Sequence, residues 1–416
     1  MKVIVLGAGV IGTCAAYYLN KAGHEVTVIE RQGGAGLETS FANGGQISAS
    51  HAAPWASPEV PFQMLKWLGR RDAPLLFHFR LDWRQWAWSF RFLINCLPSR
   101  ARKNTVDNMR ISLYSRELMP EIREDTGIDY DYRADGILEI YENQKDLDAG
   151  IHHSAWLRDL GCDNRVLSPD ECIAVEPALA GSAENLVGGI LTSEDESGDA
   201  HKFTHELAAV CAARGVDFRY GEDVRAIETD GDEVRAVRTD KRSFEADAFV
   251  VSLGSYSPLF LRPLGINLQV FPTKGYSITV PITGSNSAPK VSLTDQDNRI
   301  VYSRLGDRMR VAGTAEFNGY DTELDEGRAR SIVAKARERF PSAGDFDQAE
   351  LWTGLRPLTP DGVPVIGPTK YSNLYLDTGH GTLGWTMCAG SGKAIADLIS
   401  GDAPDIDLAP YSVERF

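Results

Sequence analysis

Apolar positions at the start of the chain follow two different periods. Val3 to Leu6 form an unbroken apolar run closed by glycines, the signature of a strand buried on both faces. Helical spacing takes over from about Ile11 to Ala22, and "HEVTVIE" then supplies a second strand ending at Glu30. The pattern lapses in "RQGGAGLETSFANGGQISAS", a long loop of small and polar residues whose backbone groups need a partner. Strand-rich sequence follows. From His201 the pattern gives a helix, a strand, a hairpin around Asp230–Asp232 and a last buried strand from Ala248 to Leu253, ending at Gly254. Near the C-terminus "GHGTLGWTMCAGSGKAIADL" reads as a glycine-rich turn feeding a helix.

The first thirty residues hold Gly7, Gly9 and Gly12 between strand and helix, which is a dinucleotide fingerprint in its required context. Gly7 permits the turn, Gly9 lets backbone approach a pyrophosphate, and Gly12 lets helix and strand pack closely. Ala8, Val10 and Ile11 belong to the same turn, and Arg31 follows the second strand. Glu30 stands eighteen residues past Gly12, where a carboxylate can accept ribose hydroxyls. FAD and NAD both use this fingerprint. A nicotinamide dehydrogenase continues in alternating strands and helices, whereas here the nucleotide fold is interrupted and completed at the C-terminus, the habit of FAD proteins. The glycine-rich turn before the last helix would present backbone N–H groups and a helix dipole to an electron-rich ring edge.

The net charge of -15 argues against general nucleic-acid binding. Six well-separated cysteines with no C-x-x-C pair fit reduced thiols in a cytoplasm, with no metal site. No stretch approaches the ~20 apolar residues of a spanning helix. One segment departs from the acidic balance: between Phe62 and Lys103 nine Lys or Arg face only Asp72 and Asp82, and four of the eight tryptophans fall there. Such a segment suits either a peripheral contact with the inner membrane or an amphipathic helix pair packed on the protein surface.

The motifs "VIVLGAGVIG", "LETSFANGGQIS", "HAAPWASP", "VVSLGSYS", "KGYSITVPI", "WTGLRPLTPDGVPVIG" and "DTGHGTLGWTMCAGSG" together resemble the D-amino acid dehydrogenase small-subunit group. That group sits among the FAD-dependent amine oxidoreductases that include D-amino acid oxidase, glycine oxidase and sarcosine oxidase. The resemblance covers nearly the whole chain. It implies an α/β FAD-binding Rossmann-like domain interleaved with an antiparallel-sheet α+β substrate domain. Residues 1–50, 190–262 and 350–416 would form the first, and 51–189 and 263–349 the second. It implies oxidative deamination of a D-amino acid, D-alanine by default, with electrons passing to a quinone; an O2-using amine oxidase of the glycine or sarcosine oxidase type is the alternative.

For the site, the resemblance makes Arg356 the carboxylate anchor, with Lys274, Tyr276 and Tyr302 as softer substrate candidates. It places Ser40, Asn43, Gly44, Gly45 and Gln46 beneath the isoalloxazine, Val224 at the adenine, and Gly379, His380, Gly381, Thr382, Leu383 and Gly384 at the pyrimidine edge, with His380 a possible donor. Relatives that tether flavin do so through a cysteine just before "TPDG"; Gly354, Leu355 and Arg356 stand there instead, and "SFANGG" holds no histidine, so noncovalent FAD is expected.

Overall fold

The computed structural model describes residues 1–67, 75–283 and 287–416. The strand Lys2–Leu6 is central in a six-stranded sheet. On one side it pairs in parallel with Glu25–Glu30, which pairs in turn with Asp217–Tyr220. On its other side run Ala248–Val251 and Leu374–Thr378, both parallel, and an antiparallel edge, Val365–Pro368. Connections therefore leave the first strand in both directions, and ligands bind at the carboxyl ends of strands at such a reversal. The helix Val10–Lys21 follows at that end. A Cβ on Gly12 would fall 2.0 Å from the Gly7 carbonyl oxygen, so only glycine allows the helix this close to the turn.

The C-terminal helix Gly384–Ser400 wedges between Val10–Lys21 and the long helix Pro98–Thr126. Gly392 lies against the backbone of Cys14 and Ala15, and Gly390 against Ile111 and Ser115, so "AGSG" replaces side-chain packing with direct backbone contact. The hairpin expected around Asp230–Asp232 is present as Val224–Asp230 and Glu233–Thr239.

A second, nine-stranded sheet carries the rest of the chain. Its order begins Glu350–Leu358, Phe271–Pro281, Arg308–Phe317, Ile300–Leu305, Ser292–Asp295, Ile137–Tyr141 and Gly188–Thr192. Most neighbours are antiparallel, as expected for the substrate domain, although Ser292–Asp295 and Ile137–Tyr141 run parallel. Two boundaries move. Glu350–Leu358 and Gly188–Thr192 belong to this large sheet because they hydrogen-bond into it, so the division falls after Leu358 and after Thr192 rather than at 350 and 190. The helix Pro98–Thr126 packs on the nucleotide side.

The basic aromatic segment forms two helices, Val60–Trp67 and Trp83–Asn95, joined to the large sheet through the short strand Leu75–Phe77. Residues 68–74, which include Arg70, Arg71 and Asp72, lie outside the described residues, as does the side chain of Trp67.

Adding a methyl at Gly12 should force the first helix off its strand. Gly12→Ala is expected to cost ~1–3 kcal/mol of stability and to weaken cofactor retention. A thermal melt followed by flavin fluorescence checks both.

Candidate active site

A single cavity of about 1230 Å³ runs from the nucleotide turn to the face of the large sheet. Its volume exceeds the usual range of ~300–1,000 Å³ for one small-molecule pocket, as a dinucleotide together with a substrate requires.

At the nucleotide end the wall contains Gly7, Gly9, Val10, Ile11, Glu30, Arg31 and Val224. Glu30 accepts hydrogen bonds from the Ala8 and Gln32 amides, each 2.8 Å, which fix its carboxylate. Burial pushes its pKa up and the two amides act against that rise. Arg31 binds Glu38 at 2.5 Å and lies 4.0 Å over the ring centroid of Tyr256, so the far wall is stiff as well. Gly9 meets nothing closer than the Ser40 hydroxyl, 3.5 Å from a would-be Cβ, which leaves its backbone open to an anion. Ser40 also accepts from the Val10 amide at 3.0 Å.

The loop at 42–46 is pinned to the large sheet by its own carbonyls. Ser277 donates to Ala42 O at 2.7 Å, Arg310 to Asn43 O at 3.0 Å, and Ser303 to Gly44 O at 2.7 Å. The Asn43 side chain accepts from the Gly45 amide at 2.9 Å, and Gln46 donates to Ser292 and Thr294. A Cβ at Gly44 would stand 2.7 Å from Val301 Cγ2, so glycine is needed for the loop to lie this close to the sheet.

Opposite this loop, Gly379, His380, Gly381, Thr382, Leu383 and Gly384 line the cavity. Gly381 donates to Pro357 O at 3.0 Å, which ties the C-terminal turn to the strand carrying Arg356. The first turn of the helix Gly384–Ser400 opens onto the cavity with no side-chain cap, so its dipole and amides are available to negative charge. Gly254, with φ +52°, contributes its backbone from the end of the strand Ala248–Val251.

Arg356 holds the substrate end. Its guanidinium lies flat across the backbone of Gly275, where an added Cβ would be 2.5 Å from its Cζ. The register partner of Gly275, Gly354, clears the same kind of space for the Trp352 ring. Among the described residues Arg356 has no hydrogen bond and no ion pair; its Cζ lies 5.9 Å from the Trp55 ring centroid. Burial pushes its pKa down to about 10, and it stays a cation at neutral pH. Arg356 is half-buried in the cavity wall, and a guanidinium drawn out of bulk water without a counter-ion is costly unless a ligand supplies the anion; a carboxylate fits its planar fork.

The structure separates Arg356 from the other three substrate candidates. Side chains alternate across a strand, and Arg356, Gly354 and Trp352 share the cavity face with Thr273, Gly275 and Ser277. Lys274 and Tyr276 therefore point to the opposite face. Lys274 binds Asp321 at 2.9 Å and the Glu323 carbonyl, and the Tyr276 hydroxyl donates to Glu316 at 2.8 Å, with burial and that bond raising its pKa. Tyr276 touches the cavity wall, but its polar end is spent on this ion network. Tyr302 is one residue from the cavity-lining Val301, so it too faces away and packs edge-on against Phe340.

His380 stays on the cavity wall, as expected. Its ring is buried, held neutral with a pKa pushed down to about 3, and Nε2 faces Asp377 Oδ1 at 3.5 Å. Burial likewise pushes the Asp377 carboxyl up.

Trp55, Trp352, Thr314 and Tyr256 line the cavity and were not picked out from sequence. Trp55 and Trp352 stand within the motifs "HAAPWASP" and "WTGLRPLTPDGVPVIG", but nothing local in either motif says that the ring faces a cavity.

The two ends of this cavity, a nucleotide turn and an arginine beside a helix terminus, define a flavoenzyme that handles a small anion. The model for "DAO: FAD dependent oxidoreductase" matches residues 2–398. The chain belongs to that family and uses FAD. A D-amino acid dehydrogenase of Paramagnetospirillum magneticum is 52% identical over 417 residues, covering 100% of this chain and 99% of its own length. Another, of Dechloromonas aromatica, is 51% identical over 410 residues, covering 97% and 98%. Among solved structures, glycine oxidase from Geobacillus kaustophilus superposes with TM-score 0.77 at 24% identity, covering 100% of this chain and 98% of its own. L-proline dehydrogenase from P. horikoshii gives 0.78 at 17%, covering 100% and 97%.

Two substitutions separate the faces of the sheet. Arg356→Ala is expected to lower kcat/KM by about 100-fold or more, since bonds to charged groups contribute ~1.5–3 kcal/mol each. Tyr276→Phe should leave KM within about threefold while lowering the melting temperature, because it opens a buried network and not the cavity. Steady-state kinetics beside a melt distinguishes the two. Gly275→Ala should displace the guanidinium and raise KM while flavin absorbance per protein stays unchanged.

Proposed function

We propose that the chain oxidises D-amino acids to 2-oxo acids and ammonia, with D-alanine as the default substrate and a quinone as the final electron acceptor. The observation that carries this reading is the uncompensated Arg356 guanidinium on the cavity face. The names of the relatives at about half identity support the D-amino acid class.

The residues assign the work as follows. Arg356 takes the substrate carboxylate bidentately and fixes the Cα–H direction. Trp55 and Trp352 close the apolar wall around it and exclude water. Bound FAD supplies the two-electron sink. The Cα–H pair leaves as hydride, the nitrogen lone pair forms the C=N bond, and water then releases the oxo acid and ammonia. The uncapped N-terminus of the helix Gly384–Ser400 opens onto the same cavity and, with FAD bound, would favour negative charge placed there.

Substrate amine must be unprotonated to donate that lone pair, and Arg356 keeps its charge meanwhile. The value of kcat/KM should therefore climb with pH above neutrality, approaching tenfold per unit below the amine pKa. A flat profile between about pH 7 and 10 would count against the reading.

The direct test is an anaerobic visible spectrum before and after D-alanine, then L-alanine. Bleaching by the D form alone supports it, and bleaching by neither overturns the substrate. Recovery of colour on adding a quinone, and its slowness with oxygen, checks the acceptor. Acid precipitation should release the yellow colour into solution, as noncovalent FAD requires.

A further inference from the structure

Fourteen large hydrophobic side chains are exposed among the described residues, and eight of them lie between Phe62 and Leu97. Scattered exposure is ordinary for a soluble surface, but concentration in one short segment is not. In the helix Trp83–Asn95 the exposed Trp83, Trp86, Phe90 and Leu93 fall at spacings of three and four, within an arc of about 80° at 100° per residue. Phe79 extends the patch by stacking on Trp86 at 5.9 Å. The opposite side of this helix is firmly held. Trp88 donates through Nε1 to Leu358 O at 3.1 Å, two residues from Arg356, and Phe92 lines the cavity.

The same stretch of chain carries exposed cations. Lys66, Arg80, Arg84, Arg100, Arg102 and Lys103 are all exposed, in a chain of net charge -15. This combination, indoles and phenyl rings beside ammonium and guanidinium groups, matches the boundary of a bilayer carrying anionic headgroups.

We infer that the face formed by Phe79, Trp83, Trp86, Phe90 and Leu93 docks on an anionic membrane, and that the helix lying between lipid and cavity makes this face the door for a lipid-soluble quinone. The inference rests on the proposed quinone reading for its second half only. Val60 and Gln63 of the neighbouring helix, like Phe92, line the cavity, so the same two helices touch solvent on one side and the catalytic chamber on the other. A quinone entering there takes the hydride equivalent held on the flavin and one proton from water, leaving as the quinol. Its long tail never has to leave the apolar phase.

The test uses FAD-loaded full-length protein and vesicles of phosphatidylcholine with and without phosphatidylglycerol. Wild type should float with the anionic vesicles and be released by salt. Trp83→Glu with Phe90→Glu should weaken flotation at least tenfold. Arg84→Glu with Arg100→Glu, which spares the aromatic face, should weaken it for anionic vesicles and guards against a folding artefact. With D-alanine, the aromatic double variant should reduce a water-soluble dye at the wild-type rate and lose most reduction of a long-chain quinone embedded in vesicles. Equal flotation of variant and wild type overturns the docking. So does a concentration-dependent dimer that the double variant abolishes while wild type fails to float, since a second copy then covers the face. Undiminished reduction of the embedded quinone by a variant that no longer floats overturns the door. Loss of D-alanine bleaching with flotation intact refutes the substrate reading and leaves the docking standing.

Discussion

Nine consecutive residue pairs join Phe271–Thr279 to Glu350–Leu358, and the site depends on this ladder more than on any single side chain. The register sets Arg356 opposite Thr273 and Gly354 opposite Gly275. With those two glycines the sheet surface has a shallow trough in which a guanidinium and an indole lie flat. A slip by one residue would exchange the faces. Were Glu350–Leu358 the strand to slip, Arg356 would leave the cavity face. A strand edge that also binds the C-terminal turn, through Gly381 and Pro357, couples substrate and cofactor geometry in one rigid unit.

The interleaved chain has a mechanical logic. The strand Lys2–Leu6 and the helix Gly384–Ser400 come from opposite ends of the sequence, yet the second packs on the helix that follows the first through backbone contacts at Gly392. The nucleotide fold is thus closed only when the last helix arrives. The same step delivers its N-terminus to the cavity. Cofactor binding and completion of the fold are coupled for this reason, and a ligand that binds only the closed form stabilises it by mass action.

Electrostatics along the cavity are graded. At the nucleotide end Glu30 is fixed by two amides, toward the centre an uncapped helix terminus opens onto the cavity, and at the far end Arg356 stands without a counter-ion. Neutral groups fill the gap between them: His380 is uncharged and Asp377 is pushed toward its protonated form by burial. The exposed aromatic helix adds a third environment, lipid-like, on the outer side of the substrate end.

Much of the nucleotide half was legible in sequence because its determinants are local. Gly7, Gly9, Gly12 and Glu30 act within one βαβ unit, and the turn at Gly379–Gly384 acts within one loop and its helix, so spacing alone specifies them. Arg356 was legible through its motif. Lys274, Tyr276 and Tyr302 were not separable from it, because a strand buried on both faces shows no polar alternation to say which parity meets the cavity. That choice belongs to the pairing of distant strands. The same holds for the boundaries at Leu358 and Thr192, where hydrogen bonds across the sheet outrank chain continuity. Local backbone requirements were thus written in the sequence itself, whereas the face each side chain occupies was decided by tertiary structure, since only cross-strand register distinguishes one side of a fully buried strand from the other.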